Sequence, residues 1–262
     1  MSTPSTRQTQ PPSPLAQAQA LLAEATRVVF FTGAGMSAES GLETYRDSET
    51  GLWENVDPLA MASIDAWEAD PEPMWAWYLW RTHNSQVAQP NAGHAAINKY
   101  AASSPHRTVT VVTQNIDDLH DRGADPSLRV LHLHGSLFKF RCESCGAPHA
   151  LPTIPADAAP RRTPPRCHQC TGQIRPDIVW FGEGLPHNVW ADAEKAMLTA
   201  DVVVIVGTSG VVYPAAGLPR LAAQAGATVV EISPSPSELT PLAHYALRGT
   251  AATTLPHILG VA

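Results

Sequence analysis

The run Val28-Val29-Phe30-Phe31 passes through Thr32 directly into Gly33-Ala34-Gly35-Met36-Ser37-Ala38-Glu39-Ser40-Gly41. A short apolar run of β-branched and aromatic residues that ends in a Gly-x-Gly-x-x-Ala turn is how a buried parallel strand hands over to a phosphate-binding loop. Glycine has no Cβ, so the backbone bends sharply there and its N–H groups can approach a pyrophosphate. The motif alone does not separate a dinucleotide pocket from a tight turn that only packs strand on helix.

The same pattern recurs along the chain. Val109 to Thr113 ends at Gln114-Asn115-Ile116-Asp117-Asp118-Leu119-His120, and Val130 to Leu133 is closed by His134-Gly135-Ser136. Val202 to Val206 ends at Gly207-Thr208-Ser209-Gly210, and Thr228 to Ile232 ends at Ser233-Pro234-Ser235. Helical spacing covers Pro14 to Thr26, Val189 to Thr199 and Ala215 to Ala225. Strands that alternate with helices imply an α/β fold, a Rossmann-like parallel sheet with helices on both faces. Polar residues just past the carboxyl ends of such strands lie where ligands bind. Residues 48 to 90 read as mainly helical and hold Trp53, Trp67, Trp75, Trp77 and Trp80, five of the seven tryptophans. Ordinary core packing accounts for most of these better than a ligand role.

Residues 141 to 174 change character, being rich in Cys, Pro and Arg with no extended apolar period. All four cysteines fall there, as Cys142-x-x-Cys145 and Cys167-x-x-Cys170. Two such pairs across a loop set four thiolates at the corners of a tetrahedron, which suits zinc. Four protein ligands leave no open position, so the metal is structural, holding together an insert too poor in apolar area to fold alone.

At 262 residues and 44% hydrophobic content, the chain supports one domain with a small insert. A net charge of -7 argues against a broad grip on nucleic acid. No apolar stretch reaches bilayer-spanning length. Residues 1 to 13, rich in Pro, Ser, Thr and Gln, read as a disordered tail and not a signal peptide, so a cytoplasmic location is expected.

A dinucleotide fingerprint places an acid about 20 residues beyond its glycines, after the next strand. No strand occurs there, and Glu231, at the end of a late strand, is the only comparable acid. An ordinary Rossmann dehydrogenase is therefore disfavoured. Histidine is the expected general base near neutral pH, and spacing leaves His120, His132 and His134 open. Tyr78 and Arg81, three apart on a predicted helix, share a face. They read either as a packed tyrosine beside a solvated arginine or as a joint grip on a carboxylate.

The ordered set Gly33 to Gly41, Tyr45-Arg46, Thr113-Gln114-Asn115-Ile116-Asp117, His134-Gly135-Ser136, the two cysteine pairs, Arg175-Pro176-Asp177-Ile178-Val179-Trp180-Phe181-Gly182-Glu183 and Gly207-Thr208-Ser209 resembles the sirtuins. The resemblance covers roughly residues 15 to 260 and implies NAD-dependent removal of acyl groups from protein lysines, with nicotinamide and O-acyl-ADP-ribose as products. It implies a Rossmann-like NAD-binding domain of residues 14–47, 91–140 and 175–262, a small domain with a helical module of residues 48–90, and a zinc-binding insert of residues 141–174. NAD is the expected cosubstrate, with one structural zinc per chain, and acyl-lysine proteins are the expected partners.

By the same resemblance His134 is the base and Asn115 shares the catalytic centre. The dinucleotide is met by Gly33, Ala34, Gly35, Ser37, Ala38, Tyr45, Arg46, Gln114, Asn115, Ile116, Asp117, Gly207, Thr208, Ser209, Ser233 and Ala251. Val179, Trp180 and Phe181 line the acyl-lysine tunnel. Tyr78-Leu79-Trp80-Arg81, with Ala62, resembles the signature of class III sirtuins, which implies succinyl and malonyl groups as substrates alongside acetyl. Tyr45 stands where the family usually has phenylalanine, and Ser233 where many members have asparagine. The competing expectations are protein ADP-ribosyl transfer from the same pocket, and deacetylation without preference for an acidic acyl group.

Overall fold

A computed structural model describes residues 12–42, 57 and 61–261 of the chain. Tyr45, Arg46, Trp53 and all but the last two residues of the expected tail lie outside the described residues.

Helix α1, Pro14–Glu24, starts at Ser13, whose hydroxyl accepts from the Ala16 amide, and carries proline at its first position. Ala18 and Leu22 are its buried face. Strand β1, Arg27–Thr32, follows. Helices α2, Ile64–Ala69, and α3, Pro71–Val87, make a helical pair, with Ser63 capping the first. Helix α4, Ala92–Ala102, opens on a capping box between Asn91 and His94. Then come β2, Thr108–Thr113, β3, Leu128–His132, β4, Gly135–Cys142, β5, Pro148–His149, and β6, Ile174–Ile178. Helix α5, His187–Thr199, leads to β7, Val202–Val206, and helix α6, Leu218–Gln224, to β8, Thr228–Ile232. Strand β9, Tyr245–Leu247, and helix α7, Ala251–Ile258, close the chain.

Six strands form one sheet in the order β3-β2-β1-β7-β8-β9, and every described pair in it is parallel. Its central strands β1 and β7 are almost continuously apolar because both faces are covered. Phe30, Val111 and Val204 point into one core with Leu22, Ile97 and Leu255, while Phe31, Val112 and Val203 point into the other with Met197, Leu218 and Ala222. The order in which the chain adds strands reverses between β1 and β7, outward to β3 on one side and to β9 on the other, so the crevice beyond their carboxyl ends is the topological switch point where ligands bind in such sheets.

Strands β5, β4 and β6 form a second, antiparallel sheet. Residues 135–140 and 175–178, expected with the large sheet, pair here instead. Against this sheet pack Trp67, Trp75, Trp77 and Tyr78 from the two helices, giving a third core with Phe140, Ile174 and Trp180. Among the described residues no helix is long and apolar enough to cross a membrane.

Candidate active site at the switch point

The loops after β1 and β7 interlock. Gly35 N–H donates to Gly207 O at 2.8 Å, and Gly33 N–H to Val206 O at 3.0 Å. A Cβ on Gly35 would lie 2.8 Å from Gly207 Cα, and one on Gly33 would lie 2.7 Å from Thr208 Cβ. Gly207 itself has φ 58, a left-handed conformation that disfavours a side chain. These glycines therefore let two loops pack backbone on backbone at the mouth of the crevice, a use of the missing Cβ that the sequence does not distinguish from approach to a ligand.

Behind them lies a buried polar network. Thr32 and Thr113 end neighbouring strands and share a hydrogen bond of 2.8 Å; Thr113 Oγ1 also accepts the Asn115 amide. Asn115 Nδ2 donates to Ser37 Oγ at 3.2 Å, and Ser37 donates to Asp117 Oδ2 at 2.9 Å. Asp117 also accepts the Leu119 amide, yet burial raises its carboxyl above the usual range. Gln114 Nε2 donates to Thr208 Oγ1, tying the β2 end to the β7 end. The sequence gives neither threonine a role, though two neighbouring strands both ending in Thr are its visible signal.

The three candidate histidines occupy different settings. His120 is buried, with Nε2 3.2 Å from Thr32 Oγ1, and burial holds it well below its ordinary pKa. His132 is pulled the other way: burial opposes its charge, but the Asp121 carboxylate at 2.8 Å, the Asn115 carbonyl and the Asp117 charge together outweigh that and raise it. His134 is half-buried, with Nδ1 2.9 Å from Gln114 O. A carbonyl only accepts, so Nδ1 carries the proton and Nε2 is left as the basic nitrogen. Burial keeps the ring below its usual pKa and so neutral, despite the opposing carbonyl.

His134 also joins the two sheets, because its carbonyl accepts the Val179 amide at 3.0 Å. From there the chain leads into the aromatic module. Phe181 is bracketed by Ala62 and Ile64: its amide donates to Ala62 O, and its carbonyl accepts from Ile64 N. Along this extended stretch side chains alternate, so Trp180 turns into the core at 2% exposure while Phe181 is 43% exposed. Trp180 and Phe181 thus do not face one channel together. Tyr78 is buried, and the Arg81 guanidinium lies 4.8 Å from the Trp77 ring and 5.7 Å from the Tyr78 ring. Arg81 is half-buried, so a freely solvated arginine beside a packed tyrosine is not what forms.

Ile116 reaches the small sheet, its carbonyl accepting the Leu137 amide. Ala34 is half-buried and Ala38 exposed on the glycine loop, and Ala251 opens α7, whose Ala252 amide donates to Glu39. Ser209 lies beyond β7, its carbonyl accepting the Glu238 amide, and Ser233 beyond β8, its amide bonded to Leu247 O. Glu231 is committed elsewhere: its carboxylate accepts from Ser237, Thr240 and Arg248. It is not presented to a ribose, in line with the weak case for a dehydrogenase.

The four cysteine sulfurs lie within 4.8 Å of one another, with Cys142 and Cys170 at 3.4 Å and Cys145 and Cys167 at 3.8 Å. A tetrahedron with Zn–S bonds of about 2.3 Å has edges of about 3.8 Å, so donor set and spacing both fit zinc.

The Sir2 family model matches residues 33–214. The chain belongs to the Sir2 family. A protein of Corynebacterium glutamicum named NAD-dependent protein deacylase is 53% identical over 240 residues, covering 91% of this chain and 92% of its own. A Sir2 homologue solved with NAD superposes with a TM-score of 0.84 at 40% identity, covering 94% of this chain and 92% of that one. A Sir2 protein solved with a deacetylated p53 peptide and 3'-O-acetyl ADP-ribose superposes at 0.80 and 26% identity, covering 94% and 97%.

Proposed function

We propose that this chain, an NAD-dependent protein deacylase of the Sir2 family, removes succinyl and malonyl groups from protein lysines in preference to acetyl. The observation that carries the reaction is the placement of His134, bonded to Gln114 on the dinucleotide side and to Val179 on the acyl side. NAD supplies a ribose carbon that the acyl oxygen can attack and a nicotinamide leaving group. His134 Nε2 takes the proton of a ribose hydroxyl, for which its neutral ring is suited. Asn115, Ser37 and Asp117 hold the nicotinamide end through the buried network, and the interlocked loops of Gly33 and Gly207, with Gln114, Thr208 and Ser209, receive the phosphates and adjoining ribose. Ser233 and Ala251 flank the adenosine end. Val179 and Phe181 border the acyl-lysine, with Ala62 behind them. Cys142, Cys145, Cys167 and Cys170 hold a structural zinc.

The acyl preference is supported by Tyr78 and Arg81, a phenol and a planar guanidinium on one face of α3. A desolvated, charge-assisted grip on a carboxylate is worth about 1.5–3 kcal/mol, or roughly one to two orders of magnitude in discrimination. Arg81→Met is expected to lower the ratio of kcat/KM on succinyl-lysine to that on acetyl-lysine by that factor. Matched peptides measured with both enzymes check this, and an unchanged ratio refutes the preference.

A further inference from the structure

The side chains of Tyr78 on α3 and Trp180 just after β6 meet inside the aromatic module. Trp180 Nε1 donates to Tyr78 Oη at 2.9 Å, with the rings 5.9 Å apart and tilted by 32°. Both residues are 2% exposed. An indole can only donate, so the phenol oxygen is the acceptor and its one hydrogen is directed away from the indole.

The indole is itself locked from several sides. The buried Arg175 guanidinium lies over its ring at 3.3 Å, and the Trp67 ring packs 5.1 Å away. Its backbone amide donates to Glu183 Oε2 at 2.8 Å. Arg175 in turn donates to Glu143, to both Glu183 oxygens and to Ile178 O. Turning the Trp180 ring away forfeits its contact with the buried Arg175 guanidinium and its packing on Trp67.

We propose that Trp180 is a positioning residue for acyl-chain selection: its indole N–H fixes the Tyr78 hydroxyl so that the O–H is presented to the carboxylate of an acidic acyl group. The inference rests on the reading that Tyr78 and Arg81 grip that carboxylate. Two physical effects carry it. A phenol that accepts a hydrogen bond is a stronger donor, and a hydroxyl held in one rotamer loses less entropy when its partner arrives. An acetyl group carries no carboxylate to accept this bond, so the effect discriminates between acyl groups instead of supporting all of them.

The test compares kcat and KM on succinyl and acetyl versions of one peptide for the wild type, Trp180→Phe, Tyr78→Phe and the double variant. Phenylalanine keeps an aromatic ring but removes the N–H donor together with part of a buried ring, so the Tyr78→Phe background is needed to separate the lost bond from lost packing against Arg175 and Trp67. Trp180→Phe is expected to lower the succinyl-to-acetyl ratio of kcat/KM about fivefold, the worth of one neutral hydrogen bond, and mainly through KM. In the Tyr78→Phe background the same change is expected to leave the ratio where it was, because the indole acts through the hydroxyl. Equal losses on both acyl groups, or an undiminished effect without the hydroxyl, overturn the positioning role. A wild type with no succinyl preference overturns the parent reading along with it, whereas a preference that Trp180→Phe leaves intact overturns only the role of Trp180. Should Trp180→Phe fail to fold, the indole N–H resonances decide: Tyr78→Phe moves one of them upfield if the bond is present, and no such shift overturns it.

Discussion

His134→Ala lowers kcat for deacylation by about a hundredfold to ten-thousandfold, the usual worth of a positioned general base, while NAD binding changes little. The expectation follows from the hydrogen-bond pattern. Gln114 O accepts the hydrogen bond from Nδ1–H, which leaves Nε2 as the one basic nitrogen of the ring, and among the described residues the His134 side chain makes no hydrogen bond to a side chain of the network. Its removal should therefore leave the Thr32, Thr113, Asn115, Ser37 and Asp117 chain standing. The pH dependence gives an independent check. The base must be neutral to act, and burial lowers its pKa, so activity rises with pH through a midpoint below 6.5 and is flat above it. A limb centred above pH 7, or a variant that retains a tenth of the wild-type kcat, is incompatible with this role. Single-turnover rates across pH 5 to 9, with calorimetry for NAD affinity, supply both readings.

Cys145→Ser produces the second large change, in stability. It removes one of four thiolates from a site whose sulfurs already stand at tetrahedral spacing. Structural zinc contributes on the order of 10 kcal/mol to folding in small zinc modules, so the insert loses most of what orders it. Cys142 ends β4, and Cys167 and Cys170 lie shortly before β6, so the loss reaches the small sheet. From β6 it reaches Arg175 and Trp180, and so the acyl side, while the six-stranded sheet shares no strand with this sheet. The expected result is zinc content falling well below one per chain by elemental analysis. A separate low-temperature melting step should appear, and acyl-peptide binding should weaken more than NAD binding. Full zinc content with an unchanged melt would remove the structural assignment of the site.

The centre of the large sheet was legible because β1 and β7 are buried on both faces and read as almost unbroken apolar runs, whereas β3, with Arg129 exposed, starts two residues before the expected Val130 and ends at His132. The stretches Val202 to Val206 and Thr228 to Ile232 stand in the structure with those bounds. The small sheet was less legible. Gly135–Cys142 mixes apolar and polar residues, and a strand's own pattern does not say which sheet it joins; pairing with Ile174–Ile178, more than 30 residues away, decides that. The tryptophan cluster was visible as density in the sequence, but Trp180, distant in sequence, completes it only through tertiary packing. Alternation in an extended stretch explains why three consecutive residues with one expected task divide between core and surface. Arg175 gave no signal of being fully buried, since an arginine is rarely buried unless paired and its partners Glu143 and Glu183 lie on separate segments.

The measurement that bears most directly on the central claim is mass spectrometry of the purified chain with NAD and a panel of succinyl-, malonyl- and acetyl-lysine peptides of one sequence. Nicotinamide, unmodified lysine and O-acyl-ADP-ribose are expected in equal amounts, all three dependent on NAD, with the acidic acyl groups removed faster than acetyl. Nicotinamide release that proceeds equally well without any acyl-lysine, with ADP-ribose found on protein, would contradict that claim.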